Sequence, residues 1–341
     1  MELKCTYMGL TLRNPIIVGA STLTTNLETI QRLEEAGAAA VVIASLFEEQ
    51  IQLERLHLEE DLAAGDDLSP EMARISGPGV FPRLEHAGPE EHLMWVRRAK
   101  ESVNIPVIAS LNAVNIETWV EYAARLADTG VDGLELNFYA TPSDPTESGA
   151  AIEARQVAIV QAVREKVALP IGVKLSAFYT NPLHVASRLA QAGAGGLVLF
   201  NRFFQPDIDP EEERNTFTFT LSRPGDYGLS LRVVGLLYGQ VAASLCANTG
   251  IHDALDVARL LLAGADCVQV VSTLLANGVS QLTAMLRGLE AWMERKGYRT
   301  LDDFRGRLSH ACSSDPWMYT RAQYVRALMK RDPLGRGTKA R

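Results

Sequence analysis

The chain has 341 residues, of which 47% are hydrophobic and 22% are charged, and its formal net charge at pH 7 is −8. A chain of this length and composition can form a large globular core without a disulfide or a structural metal. The acidic balance argues against bulk binding to nucleic acid and against binding to an anionic membrane surface.

Four cysteines are scattered through the chain, and none forms the closely spaced pairs that bind zinc or an iron–sulfur cluster. We therefore expect no metal site, and a reducing, cytoplasmic compartment. The first ten residues lack the cationic and apolar regions of a secretory signal. No apolar run approaches the roughly 20 residues that a membrane-spanning helix needs.

One pattern recurs along the chain: a helical stretch, a glycine and then a short, continuous apolar run. The glycine is Gly37, Gly130, Gly193 or Gly264 in four of the repeats. Glycine after a helix favours the left-handed conformation that ends it, and continuous apolar runs are typical of parallel strands covered on both faces. The pattern predicts eight such strands, within residues 15–21, 39–45, 105–112, 132–137, 169–176, 195–201, 241–250 and 266–272.

Amphipathic helices, such as those predicted at residues 116–130 and 252–264, separate most of these strands. Eight strand–helix units favour a single α/β domain folded as a (β/α)8 TIM barrel. The alternative is an open, doubly wound sheet, which a G-x-G-x-x-G motif directly after the first strand would favour. The sequence lacks that motif at this position. We expect the barrel to span residues 1–330.

Four segments fall outside the repeat. Residues 2–14 are predicted to form an N-terminal hairpin that closes the bottom of the barrel. Residues 48–92 and 203–232 are predicted insertions after the second and sixth strands, and the second insertion contains an alternating, hairpin-like stretch at 216–221. Residues 331–341 are polar and basic and are predicted to be a disordered tail.

Polar and small side chains end nearly every predicted strand. Active sites of such barrels lie where the strands end at their carboxyl edge. Asparagines end three of the strands, at Asn112, Asn137 and Asn201. Contact with water alone does not explain so many amides and hydroxyls, so the sequence predicts a site at this edge of the barrel.

Lys174 lies within an otherwise apolar strand, so its ammonium group is expected to be buried. A buried cation is costly unless an anion pairs with it. The predicted partner is an electron-rich ring that becomes anionic, or a carboxylate. Two alternatives remain open, namely a lysine that forms a Schiff base and a side chain at the strand end that extends to water.

The last two predicted strands are followed by Thr249 and Gly250, and by Ser272 and Thr273. Backbone N–H groups at such strand ends, together with the N-terminus of a following helix, commonly bind phosphate in barrels. Gly250 permits a close approach to the backbone, and the hydroxyl groups add donors. Together with Lys174, these residues predict a ligand that carries phosphate at one end and an anionic group in the middle of the barrel.

Several motifs of the chain resemble the dihydroorotate dehydrogenase family, in particular its bacterial dihydroorotate dehydrogenase-like branch. The resemblance implies an FMN-binding barrel that oxidises dihydroorotate to orotate in pyrimidine biosynthesis, or that acts on a different small substrate. The order and spacing of the motifs carry the resemblance from about residue 3 to residue 300. They are LRNPIIVGAS at 12–21, ELNFY at 135–139, IGVKLS at 171–176, LVLFNR at 197–202 and TGIHDALDVARLLLAGADCVQV at 249–270.

The resemblance also implies roles for individual residues. The flavin ring would lie against Ala20 and Ser21, Lys174 would lie at the side of the ring that becomes negative on reduction, and Asn201 would face the substrate. Gly250 would help to hold the phosphate. The complete set of predicted cofactor-binding residues is Ala20, Ser21, Ser45, Asn112, Asn137, Lys174, Asn201, Thr249, Gly250, Ser272 and Thr273.

The chain departs from the family pattern at three positions. Ala44 stands where the family has a lysine that bridges flavin and substrate, and Thr249 replaces the first of two glycines. The family's base, a cysteine or serine, corresponds to Ala140 or, if one residue is inserted, to Thr141. The predicted catalytic residues are therefore Thr141, the neighbouring Tyr139, and Lys174.

Three functions remain open on these grounds. The leading one is an FMN-dependent oxidoreductase that acts on CH–CH bonds. The alternatives are a lyase that forms a Schiff base on Lys174 in the same barrel, and a non-catalytic flavin-binding subunit that has lost its base. The resemblance further implies a homodimer and an electron-transfer partner protein that would carry any iron–sulfur cluster. We expect no nucleic-acid partner and no membrane insertion.

Overall fold

The computed structural model of the chain describes residues 1–52, 88–217 and 220–329. The strands of this part are β1 (Cys5–Tyr7), β2 (Leu10–Leu12), β3 (Ile16–Val18), β4 (Ala40–Val42), β5 (Leu46–Phe47), β6 (Val107–Asn112), β7 (Gly133–Asn137), β8 (Ile171–Leu175), β9 (Gly196–Leu199), β10 (Pro206–Asp209), β11 (Arg214–Phe217), β12 (Ser244–Asn248) and β13 (Cys267–Val270). The helices are α1 (Leu27–Glu35), α2 (Pro89–Ser102), α3 (Ile116–Ala127), α4 (Gly149–Lys166), α5 (Pro182–Gln191), α6 (Gly228–Leu237), α7 (Ala254–Ala263), α8 (Ser272–Asn277), α9 (Gln281–Lys296) and α10 (Ala322–Met329).

Eight of these strands form a closed parallel barrel in the described part of the chain. Around the ring their order is β3, β4, β6, β7, β8, β9, β12 and β13, and the pairing of Val268 with Ile16 closes the ring. The short β5 continues the line of β4 along β6. Each range predicted as a strand contains one barrel strand, so the predicted TIM barrel is confirmed.

Helix α7 shows how local sequence positions the segments around the barrel. The side chain of Asp253 accepts hydrogen bonds from the N–H groups of Leu255 and Asp256, and the carboxylate of Asp256 accepts one from the N–H of Asp253, which forms a capping box. The helix ends at Gly264, which has a φ of 122°. These signals fix the start of the helix, so that only the five residues 249–253 join β12 to it and their backbone is held at the barrel end.

The N-terminal hairpin of β1 and β2 closes the bottom of the barrel, as predicted. Tyr7 is 1% exposed and lies so close to β9 that a Cβ atom on Gly196 would be 2.7 Å from its ring. Glycine is needed there because any side chain would collide with the aromatic ring. The opposite, carboxyl end of the barrel is therefore the end that is free to form a site.

The insertion after the sixth barrel strand contains the antiparallel hairpin of β10 and β11. It is shorter than the predicted 203–232, because residues 228–232 already belong to α6. The insertion after the second strand lies mostly outside the described residues, and the part at its end begins α2 at Pro89. The predicted tail at 331–341 also lies outside them. Within the described ranges, no helix is both long enough and apolar enough to cross a membrane.

Glu48 ties the second barrel strand to the third. Its carboxylate, which is 4% exposed, accepts hydrogen bonds from the backbone N–H groups of Val114 and Asn115 and from the side-chain amide of Asn115 at 2.6 Å. Burial alone would raise the pKa of Glu48, but these hydrogen bonds outweigh burial and hold the pKa below its ordinary value. The charged form therefore stabilises the fold.

We expect Glu48→Gln to lower the free energy of unfolding at pH 7 by about 1.5–3 kcal/mol, the usual loss for hydrogen bonds to a charged group. Since the folded pKa lies below the unfolded value of about 4.3, the stabilisation is complete above that pH and is lost as the pH falls through the folded pKa. Urea unfolding at pH 7 and pH 4 measures both effects. The exposed neighbour in Glu49→Gln is the control, and equal losses in the two variants would contradict the prediction.

Candidate active site

A cavity opens at the carboxyl ends of the barrel strands and encloses about 660 Å³ of space, part of which is open to solvent. Residues of the insertion after β9 and of β13 complete its wall. The predicted site residues that line it are Ala20, Lys174, Asn201, Thr249, Gly250 and Ser272.

Lys174 points into the barrel interior. Its Nζ lies 3.4 Å from Oε1 of Gln269 on β13 and 3.6 Å from Oε1 of Glu135 on β7. The neighbours of β8 in the ring are β7 and β9, so a contact with β13 has to cross the interior. Lys174 is 5% exposed, and Glu135 and Gln269 are each 1% exposed. The side chain therefore does not extend to bulk water.

Lys174, Glu135 and Gln269 form one buried polar group, which we call the interior cluster. Nε2 of Gln269 donates a hydrogen bond of 2.5 Å to Oε2 of Glu135. Among the described residues, Oε1 of Glu135 has no hydrogen-bond partner, although it faces the ammonium. The sequence predicted either an electron-rich ring or a carboxylate as the partner of Lys174. The carboxylate of Glu135 is such an anion, and it lies beside the buried ammonium. The buried charge alone does not demand a bound anion.

The strand-end amides and hydroxyls form a connected chain beside the cavity. Nδ2 of Asn201 donates to Oδ1 of Asn137 at 2.6 Å, and Nδ2 of Asn137 lies 3.4 Å from Oγ of Ser45. The hydroxyl of Ser45 is 2.8 Å from that of Ser110. Asn112 uses its amide N–H groups to hold the backbone carbonyls of residues 137 and 139, at 2.7 and 3.1 Å. The structure therefore brings four predicted residues together through these contacts.

The other end of the cavity is built around Gly250 and Ser222. The N–H of Gly250 donates to Oγ of Ser222 at 3.2 Å, and the N–H of Ser222 donates to Oγ of Ser272 at 3.1 Å. Ser222 comes from the insertion after β9, and its carbonyl oxygen is 2.8 Å from Nε2 of His252. Both N–H groups thus donate to hydroxyl oxygens within the chain, and the hydroxyl hydrogens of Ser222 and Ser272 are the donors that this part of the wall can offer to a phosphate.

The backbone around Gly250 leaves no space for a side chain at this position. Its φ is +74°, and an added Cβ atom would lie 2.6 Å from the backbone nitrogens of Asp226 and Tyr227. Thr249 has a φ of 73°, in the left-handed region that favours glycine. The hydroxyl of Thr249 donates to the carbonyl of Phe200 at 3.0 Å. A hydrogen bond therefore accompanies a backbone conformation that threonine rarely adopts.

Two side chains that were predicted to contact the phosphate or the ring form hydrogen bonds within the chain instead. The hydroxyl of Thr273, which is fully buried, donates to the carbonyl of His252 at 3.1 Å. The hydroxyl of Ser21 caps the short 3-10 helix Thr22–Thr24 and accepts from the N–H of Leu23 at 3.3 Å. Both residues stand next to the cavity wall in the chain, so their backbones are the parts best placed to touch a ligand.

An aromatic cluster covers the ends of β7, β8 and β9. The rings of Tyr139 and Phe203 are stacked with centroids 4.4 Å apart, and Phe178 lies 5.4 Å from Phe203. The hydroxyl of Tyr139 accepts a hydrogen bond of 3.3 Å from the N–H of Phe204, which lines the cavity. Thr141 and Ala140 follow Tyr139 and are exposed. Of the residues predicted as a base, Tyr139 has the better-defined position.

None of the cysteines lies at this end of the barrel. Cys5 belongs to the bottom hairpin. Cys246 and Cys267 are free thiols that lie opposite each other in the neighbouring strands β12 and β13, and Cys312 is exposed near the C-terminus. Burial raises the pKa of the Cys5 thiol to about 12. Within the described ranges, no group of three or more His, Cys, Asp or Glu side chains could hold a metal ion.

Sequence reasoning missed several residues of this site. Glu135 lies two positions before Asn137 in β7, and alternation along a strand places both on the same, inward face. That parity was an available signal for Glu135, and Gln269 is likewise a lone polar residue within an apolar strand. Ser222 has no comparable signal, because it lies in an irregular part of an insertion.

Comparison with known proteins places the chain among dihydroorotate dehydrogenases by sequence. The family model described as "Dihydroorotate dehydrogenase" matches residues 86–293. A protein of Aeropyrum pernix, "Putative dihydroorotate dehydrogenase A (fumarate)", is 30% identical over 65% of this chain and 74% of its own length. The catalytic subunit of "Dihydroorotate dehydrogenase B (NAD(+))" of Methanothermobacter thermautotrophicus is 26% identical over 90% of this chain and 98% of its own.

A third relative bears the name of a different dehydrogenase. "Dihydropyrimidine dehydrogenase (NADP(+)), chloroplastic" of Arabidopsis thaliana is 21% identical over 89% of this chain and 76% of its own length. The family match covers more than half of the 341 residues and includes β6 to β13 with the interior cluster. The chain therefore belongs to the dihydroorotate dehydrogenase family and is a dehydrogenase of the class that acts on CH–CH bonds.

Proposed function

We propose that this chain binds FMN in the cavity and uses it to transfer hydride to or from a CH–CH bond of dihydroorotate or of a similar small, planar substrate. One observation carries the proposal: a single cavity joins the inward-pointing Lys174 to the glycine-built wall at Gly250. The first suits the part of a flavin that gains negative charge, and the second suits a phosphate.

The residues present fit FMN on two structural grounds. The wall at Gly250 exists only because a Cβ atom is missing there. The donors at that wall are the hydroxyl groups of Ser222 and Ser272, whose oxygens accept the N–H groups of Gly250 and Ser222 and whose hydrogens can be directed at a phosphate.

Bound FMN supplies a hydride acceptor or donor. The chain's own residues supply orientation and the proton. Asn201 and Asn137, which are joined by a hydrogen bond of 2.6 Å, present amide groups to a substrate above the ring. Lys174 would hold positive charge where the ring becomes negative, and the side chain of Tyr139, in its deprotonated phenolate form, is proposed to take the substrate proton. The ring of Tyr139 is oriented by its stacking on Phe203.

The alternative of a Schiff-base lyase conflicts with the interior cluster. A Schiff base on Lys174 would first need a neutral amine, which would leave the carboxylate of Glu135 buried without a cation 3.6 Å away. Breaking a buried pair by removing one charge is strongly unfavourable. Borohydride trapping of a carbonyl substrate on Lys174 tests this alternative directly, and covalent capture there would favour the lyase.

The electron acceptor is a separate question from the chemistry at the CH–CH bond. The names of the relatives include fumarate, NAD(+) and NADP(+). We propose that this chain, like a catalytic subunit, passes electrons to an acceptor outside the barrel, either a small molecule or a partner protein. A homodimer is part of the same proposal. Sedimentation of the purified chain, with and without candidate acceptors, tests it.

The proposed function is tested by purification and anaerobic photometry. The protein should be yellow or should take up added FMN with one molecule per chain, and dihydroorotate should bleach the bound flavin. Fumarate and reduced nicotinamides, added in turn, identify the acceptor or the reverse reaction. Colourless protein that takes up no FMN would end the proposal, whereas flavin that none of these compounds reduces or oxidises would favour the non-catalytic subunit.

Tyr139→Phe should slow reduction of the flavin by substrate about 10²–10⁴-fold, the usual contribution of a general base. The variant keeps the ring that stacks on Phe203 and removes only the hydroxyl group. FMN binding should stay unchanged, which fluorescence titration measures. Stopped-flow absorbance gives the rate of reduction.

Thr141→Ala is the matched variant, because Thr141 is the other predicted base and is exposed. We expect its rate of flavin reduction to stay within about threefold of the wild type, since general-base loss would cost far more. A slow Thr141→Ala variant beside a fast Tyr139→Phe variant would reverse the assignment. If neither changes, the reaction does not use a base at this turn.

A further inference from the structure

We propose that Glu135 is a positioning residue that lowers the reduction potential of the bound flavin by acting through Lys174. The inference rests on the proposed function, because it needs FMN beside the interior cluster. Its basis is a buried carboxylate that lies beside the ammonium of Lys174, the group proposed to face the negative charge of a reduced ring.

Glu135 is held in place from one side and faces Lys174 with the other. Its Oε2 accepts the hydrogen bond of 2.5 Å from Gln269, and its Oε1 lies 3.6 Å from Nζ of Lys174 without any hydrogen bond among the described residues. At 1% exposure the carboxylate cannot turn away into water. Gln269 therefore fixes the distance at which the negative charge acts on the ammonium.

The ammonium of Lys174 has more than one neighbour to which it can donate hydrogen bonds. It has three N–H donors, of which one is directed at Oε1 of Gln269 at 3.4 Å. Lys174 also lines the cavity, so a further donor is available to a ligand. The interior cluster can therefore bind a flavin ring on the cavity side of Lys174, while the carboxylate of Glu135 stays on the opposite side of the ammonium.

The charge of the cluster decides how well it stabilises a reduced, anionic ring. Lys174 and Glu135 together are close to neutral, so a ring beside them meets a dipole rather than a full positive charge. In a buried site with low effective dielectric, removing the nearby negative charge has a large effect on the other charges. A neutral residue at position 135 would leave the ammonium uncompensated, and the reduced ring would be more stable.

The variant Glu135→Gln tests this by changing charge and little else. Wild-type and variant holoenzymes are equilibrated anaerobically with a redox dye, and the ratio of reduced to oxidised flavin is read from absorbance. At equal solution potential, the ratio should be at least tenfold higher in Glu135→Gln. For a two-electron couple, that factor corresponds to a rise of about 30 mV in the midpoint potential.

A graded variant guards against a purely structural effect. Glu135→Asp keeps the negative charge but draws it back by one methylene group, so its ratio should rise at least twofold and lie between those of the wild type and Glu135→Gln. Glu165→Gln removes an exposed carboxylate from α4 and should leave the ratio unchanged. If Glu135→Gln does not fold, Glu135→Asp alone decides by the same twofold criterion.

The outcomes separate the two proposals. Wild-type protein that takes up no FMN would overturn the proposed function and this inference with it. Protein that binds FMN, but whose flavin ratio is unchanged or lower in Glu135→Gln and Glu135→Asp, would overturn only the inference. An equal rise in Glu135→Asp and Glu135→Gln would also overturn it, because the charge would then not be the cause.

Discussion

Replacement of Lys174 by methionine should lower the free energy of unfolding of the FMN-free protein by about 3–5 kcal/mol, the cost of leaving one member of a buried ion pair alone. Methionine matches the length and apolar stem of lysine, so packing changes little. The loss comes from Glu135, whose carboxylate is 1% exposed and would keep only its hydrogen bond to Gln269. Urea unfolding, followed by tryptophan fluorescence, measures it.

A second substitution should recover most of that loss. In Lys174→Met combined with Glu135→Gln, no charge remains in the interior cluster, and the new amide can still hydrogen-bond to Gln269. Replacing a buried ion pair by neutral groups of similar size is often close to neutral in stability. We expect the double variant to lie within about 1 kcal/mol of the wild type, which makes the two substitutions strongly non-additive.

The control is Lys166→Met at the exposed C-terminal end of α4. A surface substitution of this kind usually changes the free energy of unfolding by no more than about 0.5 kcal/mol. A small effect of Lys174→Met, similar to that of Lys166→Met, would show that the interior cluster is not an ion pair. A double variant as unstable as the sum of the two single ones would lead to the same conclusion.

The barrel was predictable from sequence because its signal is local. Each strand–helix unit carries its own glycine at the helix end and its own apolar run, so Gly37, Gly130, Gly193 and Gly264 mark the repeat without knowledge of any distant contact. The bottom hairpin could be predicted for the same reason. Helix caps such as Asp253 add further local signals.

The partners inside the site were less predictable because they are distant in the chain. Lys174 and Gln269 are 95 positions apart, and only the closure of the ring turns both toward one point. The sequence could show that Lys174 needs an anion, but not that Glu135 provides one. Likewise, the strand ends indicated Gly250 and Ser272, whereas Ser222 reaches them from an insertion whose path depends on packing.

Gly250→Ala should weaken FMN binding by about 100-fold or more, equivalent to about 2.8 kcal/mol. The added Cβ atom would lie 2.6 Å from the backbone nitrogens of Asp226 and Tyr227, and neither backbone atom can move aside as a flexible side chain could. The wall that carries Ser222 would therefore shift, and with it the donors proposed to hold the phosphate. Quenching of flavin fluorescence on titration of FMN-free protein measures the affinity.

Gly239→Ala separates the collision from the strain of the backbone. Gly239 also has a φ of +74°, but an added Cβ atom there would meet nothing within 4 Å. Both variants pay the cost of about 1–2 kcal/mol for an L-residue in this conformation, so both should be less stable. Only Gly250→Ala should lose FMN, because only there does the methyl group displace the cavity wall. Equal affinities in the two variants would mean that phosphate is held elsewhere, and the assignment of this end of the cavity would fail.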